Sequence, residues 1–310
     1  MRNVLLAYHD IGAACLEELL ASGDEVALVV THDDQPGETI WFRSVRALAE
    51  SRGVPVIAPQ DVNALEVVER IRSLAPDFLF SAMFRQMLKR ELLDVARRSA
   101  LNLHPSLLPK FRGRSPINWV LVHGERETGV TLHYMVEKAD RGDIVAQRRI
   151  PIDDDDTALT LHGKATAAAG LLMRETYPLL AAGRAARVPQ DHARASYFGG
   201  RKPADGEIDW RWPGRRVYDL VRAVTHPYPG AFTWHHGRRL FVWWARPVAA
   251  PRALRPGEVH LDGEGGAWVG GGDGALRLER VQLEGEGEVT AAQWARGGGC
   301  RSGEVLGRTR

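Results

Sequence analysis

Cysteine is almost missing: Cys15 and Cys300 are the only two in 310 residues, and they lie far apart. Such a pair gives neither a disulfide framework nor the spacing of a metal site, and no metal is expected. Lysine is scarce too, limited to Lys89, Lys110, Lys138, Lys164 and Lys202. The remaining basic residues are arginines spread along the chain, and the formal net charge is only +2. A nucleic-acid wrapper needs a concentrated basic face, so no nucleic-acid partner is expected. No run is long and apolar enough to span a bilayer, so no membrane insertion is expected. The apolar start, Val4-Leu-Leu-Ala7, is too short for a signal peptide, and a cytoplasmic location is expected. The turn Tyr8-His9-Asp10-Ile11-Gly12 holds a single glycine, where a dinucleotide-binding turn needs G-x-G-x-x-G. The P-loop pattern is missing as well. A nicotinamide or flavin enzyme is thereby disfavoured.

What is present is a hydrophobic content of 44%, enough for a well-buried core. Short apolar runs at 4–7, 25–30, 54–58, 78–82 and 100–103 read as strands. Helical spacing separates them, through Cys15, Leu16, Leu19 and Leu20, then over 40–51, then at Leu65, Val68, Ile71 and Leu74. Alternating β and α units imply a parallel, doubly wound sheet. Later strands are expected at 128–136 and 144–150, and a long alanine-rich helix at 159–180 closes the domain. Glycine, proline and charge cluster at 199–206 and mark a linker. Beyond it, one helix at 215–224 precedes short strands at 231–234, 240–245, 258–261, 267–269 and 276–283. Glycines punctuate these strands as in a small β-barrel. The expectation is an α/β domain over 1–188, a linker over 189–205 and an OB-like β-barrel over 206–310. No internal repeat and no heptad is visible, and whether the chain forms a homo-oligomer is left open.

The chemistry concentrates in Asn102-Leu-His104-Pro-Ser106-Leu-Leu-Pro109. Alternate residues of a strand share a face, so Asn102 and His104 point the same way at the strand's C-terminal end. In an α/β sheet that end is where ligands bind. An amide able to hold an oxyanion beside a proton-carrying imidazole suits acyl transfer. The plain alternative is a strand end whose polar groups cap loop backbone. In the following loop, Pro109 and Pro116 stiffen the chain, Gly113 permits an unusual backbone angle, and Arg112 and Arg114 offer forked donors. Asp140, before Gly142, is placed to favour the charged form of His104. By spacing alone Asp140 and Asp143 serve equally as turn caps. His9 and Asp10 reach a strand end, although a polar solvent-facing turn explains them as well. The Asp153–Asp156 run reads as helix capping rather than a metal site. Trp234, Trp243, Trp244 and Trp294 read as core or rim of the small barrel. His123, His133 and His162 read as structural.

Taken together, Asn102, His104, Ser106-Leu-Leu-Pro109, Arg112-Gly113 and Asp140 resemble the signature of the folate-dependent formyltransferase family. The resemblance runs the whole length of the chain. It implies a Rossmann-like formyltransferase domain with a mostly parallel sheet and a small OB-like domain, with 10-formyltetrahydrofolate as co-substrate and no metal. It makes Asn102, His104 and Asp140 the catalytic residues. It lays folate against Gln86, Met87, Leu88, Arg114 and the loop Val136, Glu137, Lys138, Ala139 and Asp140. Within the family, Ala7-Tyr-His-Asp10, Thr31-His-Asp-Asp-Gln-Pro-Gly-Glu38, Arg114-Ser-Pro-Ile-Asn-Trp-Val-Leu121 and Gly129-Val-Thr-Leu-His133 resemble enzymes that formylate UDP-4-amino-4-deoxy-L-arabinose. The partner implied is a UDP-linked amino sugar, met by Tyr8, His9, Asp10 and Arg112. Those relatives carry a decarboxylase half, so a stand-alone version is expected. Pro105 departs from the glycine usual there and stiffens the loop. Methionyl-tRNA formyltransferases usually open with Gly-Thr-Pro after the first strand, where Tyr8-His9-Asp10 stands here. The folate hydrolases of the family share the triad and pass the formyl group to water.

Overall fold

The computed structural model describes residues 1–308 apart from Pro36, Pro251, Gly263 and Glu264; Pro36, within the 31–38 stretch quoted above, therefore lies outside the described residues. The elements follow in chain order: β1 (Arg2–Ala7), α1 (His9–Ala21), β2 (Glu25–Val30), α2 (Val45–Ser51), β3 (Val56–Ile57), α3 (Leu65–Ser73), β4 (Phe78–Ala82) and α4 (Arg90–Leu93). Next come β5 (Ser99–His104), β6 (Arg112–Gly113), α5 (Pro116–Val122), β7 (Glu127–Tyr134), β8 (Ile144–Pro151), α6 (Ala158–Ala181) and β9 (Tyr197–Phe198). The last are α7 (Gly214–Val224), β10 (Ala231–His235), β11 (Arg238–Val248), β12 (Val259–Leu261), β13 (Ala267–Gly270), β14 (Ala275–Leu283), β15 (Val289–Thr290) and α8 (Ala291–Arg296). The chain divides into two compact units. One comprises Met1–Pro116, Arg126–Ile152 and His162–Gly199; the other Ile117–Glu125, Asp153–Leu161 and Gly200–Arg310.

The first unit is built on a seven-stranded sheet of order β3-β2-β1-β4-β5-β7-β8. The five strands from β3 to β5 run parallel, as βαβ units require, whereas β7 and β8 join antiparallel. Strands covered on both faces read as continuous apolar runs. Leu5, Leu6, Leu79 and Phe80 are accordingly buried, each contributing roughly 1.5–3 kcal/mol. On one face Val4, Leu6, Leu28 and Leu79 pack with Val68 and Ile71 of α3 and with Leu92. On the other, Tyr177 of α6 lies 6.0–6.3 Å from the Phe80 and Phe78 rings, and Asn3 donates to its hydroxyl at 2.7 Å.

Two sequence expectations need correcting here. The helix expected over 40–51 begins only at Val45, where Ser44 caps it by accepting the Ala47 N–H at 3.2 Å. Trp41 and Phe42 instead lay their rings against His9. Leu65, expected on the apolar stripe of α3, is 71% exposed, and Val67 joins Val68 and Ile71 as the buried set.

The second unit holds a six-stranded antiparallel sheet, β10-β11-β14-β13-β12, with β15 beside β14. Register shifts near Trp244 let β11 bend, the way bulges coil a sheet. Among the described residues β10 and β12 do not pair with each other, so the expected barrel is an open, coiled sheet at that edge. Trp243 and Trp294 are buried in this unit. The aspartate run is spent on hydrogen bonds and ion pairs. Asp156 accepts the Asp153 N–H and the Thr160 hydroxyl, while Asp154 and Asp155 pair with Arg215 and Arg246. No helix among the described residues is long and apolar enough to cross a membrane.

Candidate active site

β5 carries Asn102 and His104 to the C-terminal edge of the parallel strands, two residues apart on one face. The antiparallel neighbour β7 sets His133 directly opposite Asn102. Asp140, in the turn after β7, adopts φ 54° and turns its carboxylate toward all three. Its Oδ1 lies 3.4 Å from Asn102 Nδ2, 3.6 Å from His104 Nδ1 and 3.5 Å from His133 Nε2. Its Oδ2 accepts the Gly113 N–H at 2.8 Å. Asn102 Nδ2 also sits 3.2 Å from His133 Nε2. Burial works against the Asp140 charge, but His104, His133 and the Gly113 N–H outweigh it. They hold the carboxyl well below its usual range.

Both imidazoles are oriented from behind. His104 Nε2 lies 2.8 Å from the Phe111 carbonyl and His133 Nδ1 2.8 Å from the Tyr134 carbonyl. A carbonyl only accepts, so these two nitrogens carry hydrogen. The nitrogens left over are the ones that face Asp140.

The loop that follows His104 is fixed rather than loose. Thr131 donates to the Ser106 carbonyl at 2.6 Å, Gln147 to that of Leu108 at 2.9 Å, and Ser106 to that of Lys110 at 2.8 Å. β6 then pairs with β9, and Gly113 is obligatory there: its φ is +94°, and a Cβ would lie 2.2 Å from the Phe198 oxygen. Gly142 is required as well, because a Cβ would fall 1.8 Å from the Tyr134 oxygen.

A cavity of about 390 Å³ opens on this cluster. Of the residues expected to meet folate, Gln86, Met87, Leu88, Arg114, Val136, Ala139 and Asp140 line it, whereas Glu137 and Lys138 do not. Gln86 has its amide committed to backbone, accepting from Val62 at 2.8 Å. Met87 is 58% exposed at the mouth and Arg114 is also exposed.

Of the residues expected to meet the sugar, Tyr8 and His9 line the cavity and Asp10 does not. Arg112 is a correction. It is 1% exposed and binds Gln190 at 2.5 Å, His192 Nδ1 at 2.9 Å and the Tyr197 hydroxyl at 3.3 Å. It ties the 190–197 segment, read from sequence as linker, to β6. A guanidinium so enclosed does not reach the cavity.

Sequence reasoning missed His133 and the group beside Tyr8. There Arg85 lies 4.3 Å over the Tyr8 ring and pairs with Glu38, while the Tyr8 hydroxyl donates to Asp34 at 2.6 Å. Burial, helped by Asp34 and Glu38, raises the Tyr8 pKa. Burial likewise lowers His9 to about 2 and His162 to about 4.

The formyl transferase family matches residues 4–176, and the formyl transferase C-terminal domain matches residues 201–299. The chain belongs to the formyl transferase family. It is therefore an enzyme of the formyltransferase class, with that family's two domain models matched in order along the chain. Among solved structures, this formyltransferase is similar to the N-formyltransferase from Helicobacter canadensis in complex with folinic acid and dTDP-3-aminofucose. Identity is 18% and the TM-score 0.68, over 91% of this chain and 98% of that one. A variant of HypX from Aquifex aeolicus is 20% identical with a TM-score of 0.63, over 98% of this chain and 49% of HypX, so the chain spans about half of HypX. Methionyl-tRNA formyltransferase from Clostridium thermocellum is 17% identical with a TM-score of 0.56, over 92% and 99%. At these identities the likeness is one of fold.

Proposed function

We propose that the enzyme moves a formyl group from 10-formyltetrahydrofolate to the 4-amine of a nucleotide-linked amino sugar, UDP-4-amino-4-deoxy-L-arabinose. The observation that carries this is the joining of Asn102, His104 and Asp140 in one cavity with an apolar mouth at Met87, Leu88 and Val136. Apolar walls beside a few convergent polar groups suit a pteridine ring and a reacting carbonyl. Arg114 is an exposed guanidinium lining that cavity and serves an anionic group of either substrate.

In this reading the neutral amine attacks the formyl carbon, a new C–N bond forms, and the bond from that carbon to the folate nitrogen breaks. Asn102 donates to the oxyanion, an interaction worth about 3–4 kcal/mol in comparable sites. The His104 Nε2–H is committed to the Phe111 carbonyl. The proton that moves is therefore held on Nδ1, the nitrogen facing Asp140, and passes to the departing folate nitrogen. The amine's surplus proton returns to the same imidazole or to water. Asp140 stabilises the imidazolium that holds this proton before it is given to the folate nitrogen.

The acceptor is the finer part of the proposal. The Helicobacter canadensis relative is described with dTDP-3-aminofucose, and five lysines with a net charge of +2 disfavour a tRNA. Formylation of this sugar places the enzyme in lipid A modification and polymyxin resistance. Replacing His104 by Ala tests the chemistry: formyl transfer is expected to be abolished while folate still binds. Unchanged turnover would sink the role given to His104.

A further inference from the structure

Beside the cavity, where the start of α1 meets α6, lies a cluster that formyl transfer leaves unused. His9 opens α1 and is 7% exposed; His162 in α6 is 3% exposed. His9 Nδ1 and His162 Nε2 are buried and have no hydrogen-bond partner among the described residues. A buried polar atom left unpaired is destabilising, and each such atom asks for an explanation. Here the two residues that carry them, with Asp10, each bring a donor atom within 4.8 Å of the others. The imidazole centroids are 4.3 Å apart, and Asp10 Oδ2 is 3.5 Å from His9 Nδ1.

We infer that His9, Asp10 and His162 form a binding site for a divalent transition metal of the zinc class. Each donor is oriented from behind, as ligands usually are. Asp10 spends Oδ1 on the Arg43 backbone N–H at 3.1 Å and its Nε–H at 3.3 Å, which leaves Oδ2 for an ion. Thr166 gives its hydroxyl hydrogen to the His162 carbonyl at 2.9 Å, so its oxygen can accept from His162 Nδ1–H at 3.5 Å. That tautomer puts the lone pair on Nε2. His9 is pinned at φ 68°, stacked on Phe42 at 3.8 Å and edge-on to Trp41 at 4.5 Å.

The donors need little movement. Nitrogen and oxygen ligands about 2.0–2.2 Å from a tetrahedral ion lie roughly 3.4 Å from one another. The Asp10–His9 separation already matches, and His162 must close by about 1.4 Å at most. Two imidazoles and one carboxylate select zinc over calcium or magnesium. They leave a fourth position for water. The ion would clasp the first turn of α1 to α6 next to His9, which also lines the cavity.

The test uses the untagged full chain, stripped with a chelator and titrated with zinc against a chromophoric competitor, then with cobalt for its ligand-field spectrum. The expected result is about one ion per chain, a tetrahedral cobalt spectrum, and a Tm that rises with zinc. His9→Gln and His162→Gln should each weaken binding by more than about 100-fold, beyond what loss of an outer partner of a ligand costs. Failure of the folded wild type to bind zinc in competition, or equal binding by both variants, overturns the assignment. If a variant does not fold, the wild-type cobalt spectrum and Tm shift still decide. No arm depends on the acceptor for the formyl group.

Discussion

Replacing Asp140 by Asn keeps the shape of the side chain and removes its charge. The carboxylate now does two jobs: Oδ2 accepts the Gly113 N–H at 2.8 Å, and Oδ1 faces the nitrogens of Asn102, His104 and His133 at 3.4–3.6 Å. An amide has one acceptor oxygen. If it serves Gly113, an NH₂ group faces the two imidazoles, and the imidazolium that takes part in transfer loses its carboxylate partner. Charge-assisted hydrogen bonds contribute about 1.5–3 kcal/mol each, and a donor aimed at an oxyanion about 2.7–4 kcal/mol. A loss of about 3–4 kcal/mol in the transition state lowers kcat roughly 10²–10³-fold. KM for folate should change little, because the interaction is strongest once His104 is charged. The assay is steady-state tetrahydrofolate release at saturating acceptor. A kcat within about fivefold of wild type would refute the argument, and a raised KM with unchanged kcat would make Asp140 a binding group only. The same substitution has a stability signature. The Asp140 pKa is depressed in the folded chain. Its contribution is therefore present above the unfolded carboxylate value of about 3.9 and lost as pH falls through the lower folded value. The variant should have a lower urea midpoint than wild type at neutral pH, with the gap closing in acid. A gap that does not depend on pH contradicts the assignment.

Arg112→Leu should destabilise the fold by about 2–4 kcal/mol, because Gln190, His192 and Tyr197 lose a buried partner. Denaturant unfolding would show it, and a shift below about 0.5 kcal/mol would return Arg112 to the substrate-facing role read from the sequence. Gly142→Ala drives a methyl into the Tyr134 carbonyl and should displace Asp140. A kcat at least about tenfold lower is expected, while wild-type turnover would show that the loop yields without moving the carboxylate.

The period-two placement of Asn102 and His104 was legible because it depends only on local strand geometry. So was the parallel β1–β5 core. Asp140 was a different case. Its spacing did not separate it from Asp143, and only the resemblance chose between them. In the fold Asp143 pairs with Arg187 at 3.0 Å and stays at the surface. His133 was read as structural because its role depends on the β5–β7 register, a long-range pairing that no local pattern encodes. Arg112 misled for the opposite reason. An arginine in a glycine- and proline-marked loop reads as exposed, and nothing nearby in sequence announces that Gln190 and His192 enclose it. The helix expected over 40–51 failed at its start, where Ser44 caps it and Trp41 and Phe42 lie against His9, a contact distant in sequence.

The most direct measurement is formyl transfer from 10-formyltetrahydrofolate, followed as tetrahydrofolate release with UDP-4-amino-4-deoxy-L-arabinose, methionyl-tRNA or no acceptor. The account predicts release that depends on the sugar nucleotide and stops when it is withheld. Release that depends on tRNA would keep the family and contradict the substrate. Equal release with no acceptor would make water the nucleophile and contradict the transfer mechanism.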